Sequence, residues 1–409
     1  MSKQILLEKE DNREWISTMD YRIVTDGNLT SYVFYNEVIA QLHNYFSKGI
    51  QSRIVFDFSQ VKSIDALVLP NLLCTGYWIE QHRGTPARIF IPGNLASVPL
   101  RTFLERTKFV ELAKTYGLFE FDEDISGGLK DTVSRPTLNK LALFQIAYKD
   151  SSTSEQSDID VAKTKEVAWE QLKKTFVPFI STFLQKSTDP YVQTHRKEIS
   201  SDLLSFCKEL IENALLHGRS FCFFNMQYSS TFRKQIKLSI SDCGMGFKRS
   251  INEDYSRSQH ILSLQQLVDS VGAERAQMED EIHQLLSQCY PLQQDDVDRL
   301  AGYPHMSTEL EGIIYGLLSR RFKPYGLYNI HQKIIHRMGG TIRIHSNDTQ
   351  VILSQRMWAP LAVCDAPEDL VKLLCANNQY TANVRTGLTF KGTHIEIEFM
   401  LGEDGEDGK

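Results

Sequence analysis

The sequence predicts an α/β protein with two layered domains. Three observations carry that prediction. Strand-like and helix-like segments alternate from Met1 to about Ile146, an order that builds an open α/β layer. A polar, Ser-rich stretch without aromatics, "KDSSTSEQSDIDVAK" at 149–163, then reads as a linker or mobile loop. Beyond it, amphipathic helices and apolar strands resume, broken by a long polar insert. The expected boundaries are a first domain at 1–147, a linker at 148–166 and a second domain at 167–409, with the insert at 248–323.

In the first domain, "SRIVFDFS" (Ser52–Ser59) has a buried-strand pattern. "ALVLPNLLCTGYWIEQHRG" reads as a helix, with Pro70 in its first turns and Gly84 past its end. "ARIFIPG" is a further strand, and Val98–Leu118 a further helix stopped by Gly117. In the second domain, a helix runs to about Gln185 with a kink expected at Pro178. Another spans about His195 to His217. "FCFFNMQY" and "KQIKLSIS" are strands, as are Thr341–Ser346, Gln350–Arg356 and "THIEIEFML". Leu327–Met338 is helical.

Composition narrows the function classes. The 409 residues are 42% hydrophobic and 23% charged, ordinary for a soluble globular protein. The net charge of −6 argues against nucleic acid, whose partners carry a basic stripe. Seven cysteines contain no CxxC pair, which fits reduced core thiols in a cytoplasmic protein. No apolar run reaches membrane-spanning length, and the N-terminus has no apolar leader core. The tail "GEDGEDGK" reads as a disordered acidic end.

The chemistry concentrates in the second domain. In "FCKELIENALLHG", Ile199, Leu203, Phe206, Leu210 and Ala214 line one helix face, widened by Leu204, Cys207, Ile211 and Leu215. Glu212 reads as solvated. Glu209 and Asn213 stand four apart and stack on one side, beside the apolar stripe. Alone, such a pair is more often surface than site. After the strand "IKLSIS" comes "DCGMGF", placing a carboxylate, Asp242, at a strand end beside Gly244 and Gly246. A tight turn would also use those glycines. An adenine site would use the carboxylate to accept from an exocyclic amine and the glycines to admit a ligand closely. Further on, Gly326 opens a helix that begins at Leu327 and ends in Gly339-Gly340. Such an N-terminus favours an anion, although a plain loop–helix–strand connection needs no ligand. Gly392-Thr393 precedes the last strand.

The combination, in this order, resembles the N, G1, G2 and G3 boxes of the GHKL (Bergerat-fold) ATPase superfamily, over about Ala168 to Leu401. The resemblance implies an ATP-binding two-layer α/β sandwich with a long helical lid. It implies that Asn213 coordinates Mg²⁺, that Asp242 holds the adenine amine with support from Thr393, and that Gly244 and Gly246 shape the adenine and ribose side. Gly326, Leu327 and neighbouring backbone would cradle phosphates. Glu209 would be the general base, since ATP-hydrolysing and serine-kinase branches carry Glu four residues before the Asn, where histidine kinases typically carry Asn. "ELIENALLHG" is most similar to the anti-sigma-factor serine kinases. His195 is a poor phosphoacceptor candidate, because it starts the same helix, and His217 reads as a helix-end residue.

This chain also departs from the pattern. Pro324 replaces a glycine usual before the G2 box, and the 248–323 lid far exceeds that of the anti-sigma kinases. Lids of that length close over ATP, often with dimerisation, which implies a protein partner or a homodimer. Arg320, Arg321 and Lys323 close the lid; Arg321 is taken as a γ-phosphate contact, with a solvated basic cluster as the alternative.

In the first domain, "IVFDFSQVKSIDALVLPNLL" resembles the STAS domain of anti-sigma-factor antagonists through Asp57, Ser59, Ile64 and Asp65. The family's phosphorylated serine falls at Leu67 and the following glycine at Val68, so the resemblance implies a docking or structural module without the phosphorylation switch. Three functions stay open: a regulatory ATPase whose lid cycle governs association, a serine/threonine protein kinase, and an ATP-sensing module with little turnover.

Overall fold

The computed structural model describes residues 20–93, 95–121, 137–148, 159–229, 235–261, 309, 312–313, 327, 330, 332–354 and 391–401. The protein is a mixed α/β chain with one parallel and one antiparallel sheet, and it divides into two compact units.

In the first unit, strands β1 (Tyr21–Leu29), β2 (Ile54–Ile64), β3 (Ala87–Phe90) and β4 (Phe119–Phe121) lie in that order, each parallel to the next. Parallel neighbours need crossovers, and helices supply them. Helix α1 (Ala40–Ser47) follows a π-helical segment, Phe34–Ile39. Helix α2 (Leu69–Arg83) has Pro70 in its first turn and Gly84 as a left-handed cap at φ 68°. Asp65 Oδ1 accepts from Leu67 N at 3.0 Å and caps the short 3₁₀ turn Ala66–Val68 leading into α2. The expected continuous helix over Val98–Leu118 is two helices, α3 (Val98–Arg106) and α4 (Phe109–Thr115). The break comes at Lys108, which adopts a left-handed φ of 65° after Thr107 donates its hydroxyl to Leu104 O.

The second unit begins earlier than the sequence suggests, at Pro136 rather than beyond the linker. Strand β5 (Thr137–Phe144) pairs along its whole length with β6 (Cys222–Ser229), which removes it from the first domain. Residues 149–158 of the expected linker lie outside the described residues, and helix α5 (Val161–Lys186) already starts within its span. Pro178 lies inside α5. A short helix, α6 (Pro190–Thr194), leads to α7 (Arg196–Leu216). The sheet is completed by β7 (Gln235–Asp242), β8 (Thr341–Ser346), β9 (Thr349–Ser354) and β10 (Thr393–Met400). Its order is β5-β6-β7-β10-β8-β9, antiparallel throughout. Helix α8 (Gly246–Ile261) leaves β7 after the three-residue turn Cys243-Gly244-Met245.

Alternation along the strands sends two different sets of side chains to the two faces. On one face Phe224, Met226, Leu238, Ile240, Ile342, Ile344, Ile395 and Ile397 form a core with Phe176, Ile180 and Phe183 of α5 and Leu203, Phe206 and Leu210 of α7. Each such side chain contributes about 1.5–3 kcal/mol on burial. The opposite face is polar. Asn225, Ser239, Glu396 and Arg343 stand in one cross-strand row, and Ser241, His394 and His345 in the next; all are buried but Arg343, which is half-buried. Glu396 accepts from Arg343 and pairs with His394 Nε2 at 2.9 Å. Burial and the neighbouring His394 lower His345 to about 3, against the pull of Glu396, so its imidazole is neutral at physiological pH.

Cys74, Cys207, Cys222 and Cys243 are buried thiols, and burial pushes the Cys207 thiol well above its ordinary value. No helix among the described residues is long and apolar enough to cross a membrane.

Candidate nucleotide site

The site starts on α7. Its apolar face turns into the core, which draws the adjoining stripe inward, and Glu209 is only 9% exposed. Asn213, one turn later, is half-buried and donates Nδ2–H to Glu209 Oε1 at 3.1 Å. The predicted pair is therefore a bonded pair. Glu212, expected to be solvated, is half-buried, with the ammonium groups of Lys165 and Lys208 each at 3.8 Å.

The helix ends at Leu216 with His217 as its cap, close to the expected end, and the N–H groups of His217 and Gly218 both donate to Asn213 O, at 2.9 and 3.2 Å. Gly218 then packs directly on the Asp242 turn. A Cβ on Gly218 would lie 2.4 Å from Ala214 O and 3.1 Å from Asp242 Oδ1. A Cβ on Gly244 would lie 2.1 Å from Gly218 O. Met245 N completes the contact by donating to Gly218 O at 3.3 Å. The end of α7 and the glycine turn thus meet backbone to backbone, with no space for side chains between them.

Asp242 ends β7 and is 3% exposed. Its Oδ1 accepts from Gly244 N at 2.8 Å and from Thr393 N at 3.3 Å. Burial raises the carboxyl to about 7, and the two bonds, from Gly244 and then Thr393, oppose that rise. Thr393 reaches Asp242 through its main chain because β10 is the antiparallel neighbour of β7. Gly392 lies against the Asp242 carbonyl with φ 114°, and a Cβ there would be 2.0 Å from Asp242 O. Gly246, with φ 77°, opens α8.

Three residues not anticipated from the sequence surround Gly246: Glu309, Ser346 and Asn347. A Cβ on Gly246 would lie 2.8 Å from Glu309 Oε1, 2.9 Å from Ser346 Oγ and 2.2 Å from Asn347 Nδ2. Glu309 falls in the polar insert, where nothing marks one Glu from another. The left-handed Asn347, at φ 46°, carried a weak signal: Asn in a turn between two strand patterns.

Leu327 is buried in the core. Gly326, Pro324, Arg320, Arg321, Lys323 and most of the expected lid lie outside the described residues. Among the described residues no group of three or more His, Cys, Asp and Glu side chains gathers as a metal cage would. Magnesium held by one or two protein oxygens, with water and phosphate completing the shell, requires no such cage.

In comparison with known proteins, no family model, no curated protein and no solved structure matches the chain.

Proposed function

We propose that the second unit is a GHKL-type domain that binds Mg-ATP and hydrolyses it. We further propose that the first unit is a STAS-like module serving association rather than catalysis. The observation that carries the reading is Asp242, a buried carboxylate whose Oδ1 is fixed by two main-chain N–H groups within walls of glycine backbone. A carboxylate withdrawn from water is costly unless something repays it. With Oδ1 occupied twice, Oδ2 is the acceptor offered to an exocyclic amine such as that of adenine.

The Glu209–Asn213 bond supports the catalytic half of the reading. Nδ2 of Asn213 is engaged by Glu209, and the amide's Oδ1 is a hard oxygen ligand of the kind magnesium prefers. Bound magnesium would neutralise charge on phosphate oxygens during transfer. Glu209, held by the same bond, is the group that takes the proton from an attacking water. The first unit supports its own assignment through a parallel sheet and the Asp65-capped turn. Leu67, at the expected phosphoacceptor position, is buried and carries no hydroxyl. The insert and the first unit are the surfaces through which a protein partner or a second copy would be met.

Incubation of the full chain with γ-labelled ATP and Mg²⁺, beside Glu209→Ala, tests the reading. Free phosphate from the wild type alone, with ATP bound by both proteins, is the expected result. Label on an added protein substrate would mark a kinase. A wild-type chain that binds no ATP would overturn the assignment.

A further inference from the structure

Segments far apart in sequence meet behind the Asp242 turn, and two side chains join them. Asn347 occupies the turn between β8 and β9. Its Nδ2 donates to Met245 O at 3.1 Å and to Glu309 Oε1. Its Oδ1 accepts from Gly392 N at 3.1 Å, and its own N–H donates to Gly392 O at 3.0 Å. Glu309, 7% exposed, uses its other oxygen to accept from Phe247 N at 3.1 Å, Lys248 N at 3.3 Å and Ser346 Oγ at 2.9 Å. Three residues on, a Cβ at Gly312 would lie 2.7 Å from Lys248 N, and Ile313 is fully buried in the core.

A hairpin turn needs none of this. Any residue tolerant of a left-handed φ would close β8 to β9, and a local Ser or Asp would cap α8. Here the first N–H groups of α8 are satisfied by a carboxylate 61 and 62 positions along the chain. Burying that carboxylate is tolerable only because four donors converge on it. Its partners lie in the first turn of α8, at the end of β8 and in the β8–β9 turn, and Asn347 extends the set to Gly392, which touches the Asp242 main chain.

We infer that Glu309 and Asn347 are positioning residues for the base end of the nucleotide site. They fix the turns at 242–247 and 391–393, which hold Asp242, and they fasten the insert, at Glu309, Gly312 and Ile313, to that same structure. The inference rests on the reading of Asp242 as the acceptor of the adenine amine. Base-end affinity and the seating of this insert segment therefore depend on one set of bonds.

The test is calorimetric binding of ATP and ADP to the full chain, with Mg²⁺ and with EDTA. Asn347→Gly keeps the left-handed backbone and deletes only the amide. Glu309→Gln keeps the shape but turns a donor toward Asn347 Nδ2. Each is expected to weaken ATP and ADP alike, about tenfold as for one lost charge-assisted bond, by the same factor with and without metal, with the protein still folded at the assay temperature and Tm lowered by only a few degrees. Asn213→Ala serves as the contrast, losing affinity only when Mg²⁺ is present. The double variant E309Q/N347D exchanges acid and amide and should recover part of the affinity. Wild-type affinity in both single variants overturns the inference, as does a loss that tracks a falling Tm without recovery in the double variant. A wild-type chain that binds no nucleotide overturns the Asp242 reading itself, and the inference falls with it; that result is distinguishable from the other two.

Discussion

Asn213 donates to Glu209 across one turn of α7, at 3.1 Å, so the amide and the carboxylate hold each other's orientation. Their substitutions should nevertheless have different signatures. Glu209→Ala removes the proposed base and should lower turnover by about 10²–10⁴ while leaving ATP affinity largely intact. Asn213→Ala should weaken Mg-ATP binding. Steady-state turnover beside equilibrium binding separates the two; wild-type turnover in both variants would mean the pair is not catalytic.

Gly392→Ala should fail for steric reasons. The new methyl would be placed 2.0 Å from Asp242 O, on a backbone at φ 114° that side chains rarely adopt. Backbone strain and overpacking together predict a loss of about 3 kcal/mol or more. Urea unfolding measures it, and a loss below about 1 kcal/mol would show that the β10 entry relaxes easily.

Asp242 predicts a pH dependence of definite sign. Its folded-state value, about 7, stands above the ordinary 3.8, so the folded protein keeps a proton that the unfolded chain releases. This contribution to stability is fully present below about pH 4 and is lost as pH rises through 7. Asp242→Asn should remove that slope, so the variant gains on the wild type between pH 4 and 8. Ligand binding should report the same group: an amine donor favours the ionised acid, so ATP binding near pH 6.5 should release a proton. Calorimetry in buffers of different ionisation enthalpy would detect it.

Glu396, 2% exposed, holds Arg343 and His394 on the buried polar face of the second sheet. Glu396→Leu leaves that guanidinium without its carboxylate and should destabilise the second unit by about 3 kcal/mol. Replacing Glu396 and Arg343 together by apolar residues should recover much of it. Chemical denaturation of the single and double variants gives the coupling.

Much of this was legible in the sequence because local rules acted alone. Helix α7 was placed to within a residue or two at either end by its apolar spacing, and α2 by Pro70 and Gly84. The positions of Glu209, Asn213, Asp242 and Thr393 followed from strand and helix patterns. The Val98–Leu118 helix was misjudged because a left-handed Lys108 leaves no mark in composition. Strand β5 was given to the wrong domain because pairing partners are a tertiary property; only β6, nearly eighty residues later, reveals where it belongs. Glu309 and Asn347 were missed for the same reason. Their roles lie in hydrogen bonds across 37–102 positions of chain, which no periodicity encodes.

Strand β10 lies between β7 and β8 in the sheet, although β7 ends at Asp242 and its partner begins only at Thr393. Closing that gap is entropically expensive and slow. Until it closes, β7 and β8 expose open edges to any extended chain nearby, including the same strand of another molecule. The surroundings of Asp242, to which Gly392 and Thr393 contribute, and the guard against mispairing are thus completed by one event. The same arrangement invites engineering: a chain lacking Thr393–Met400 and a separate peptide carrying it form a natural split reporter, in which recovery of the proposed ATP binding would signal that the two pieces have met.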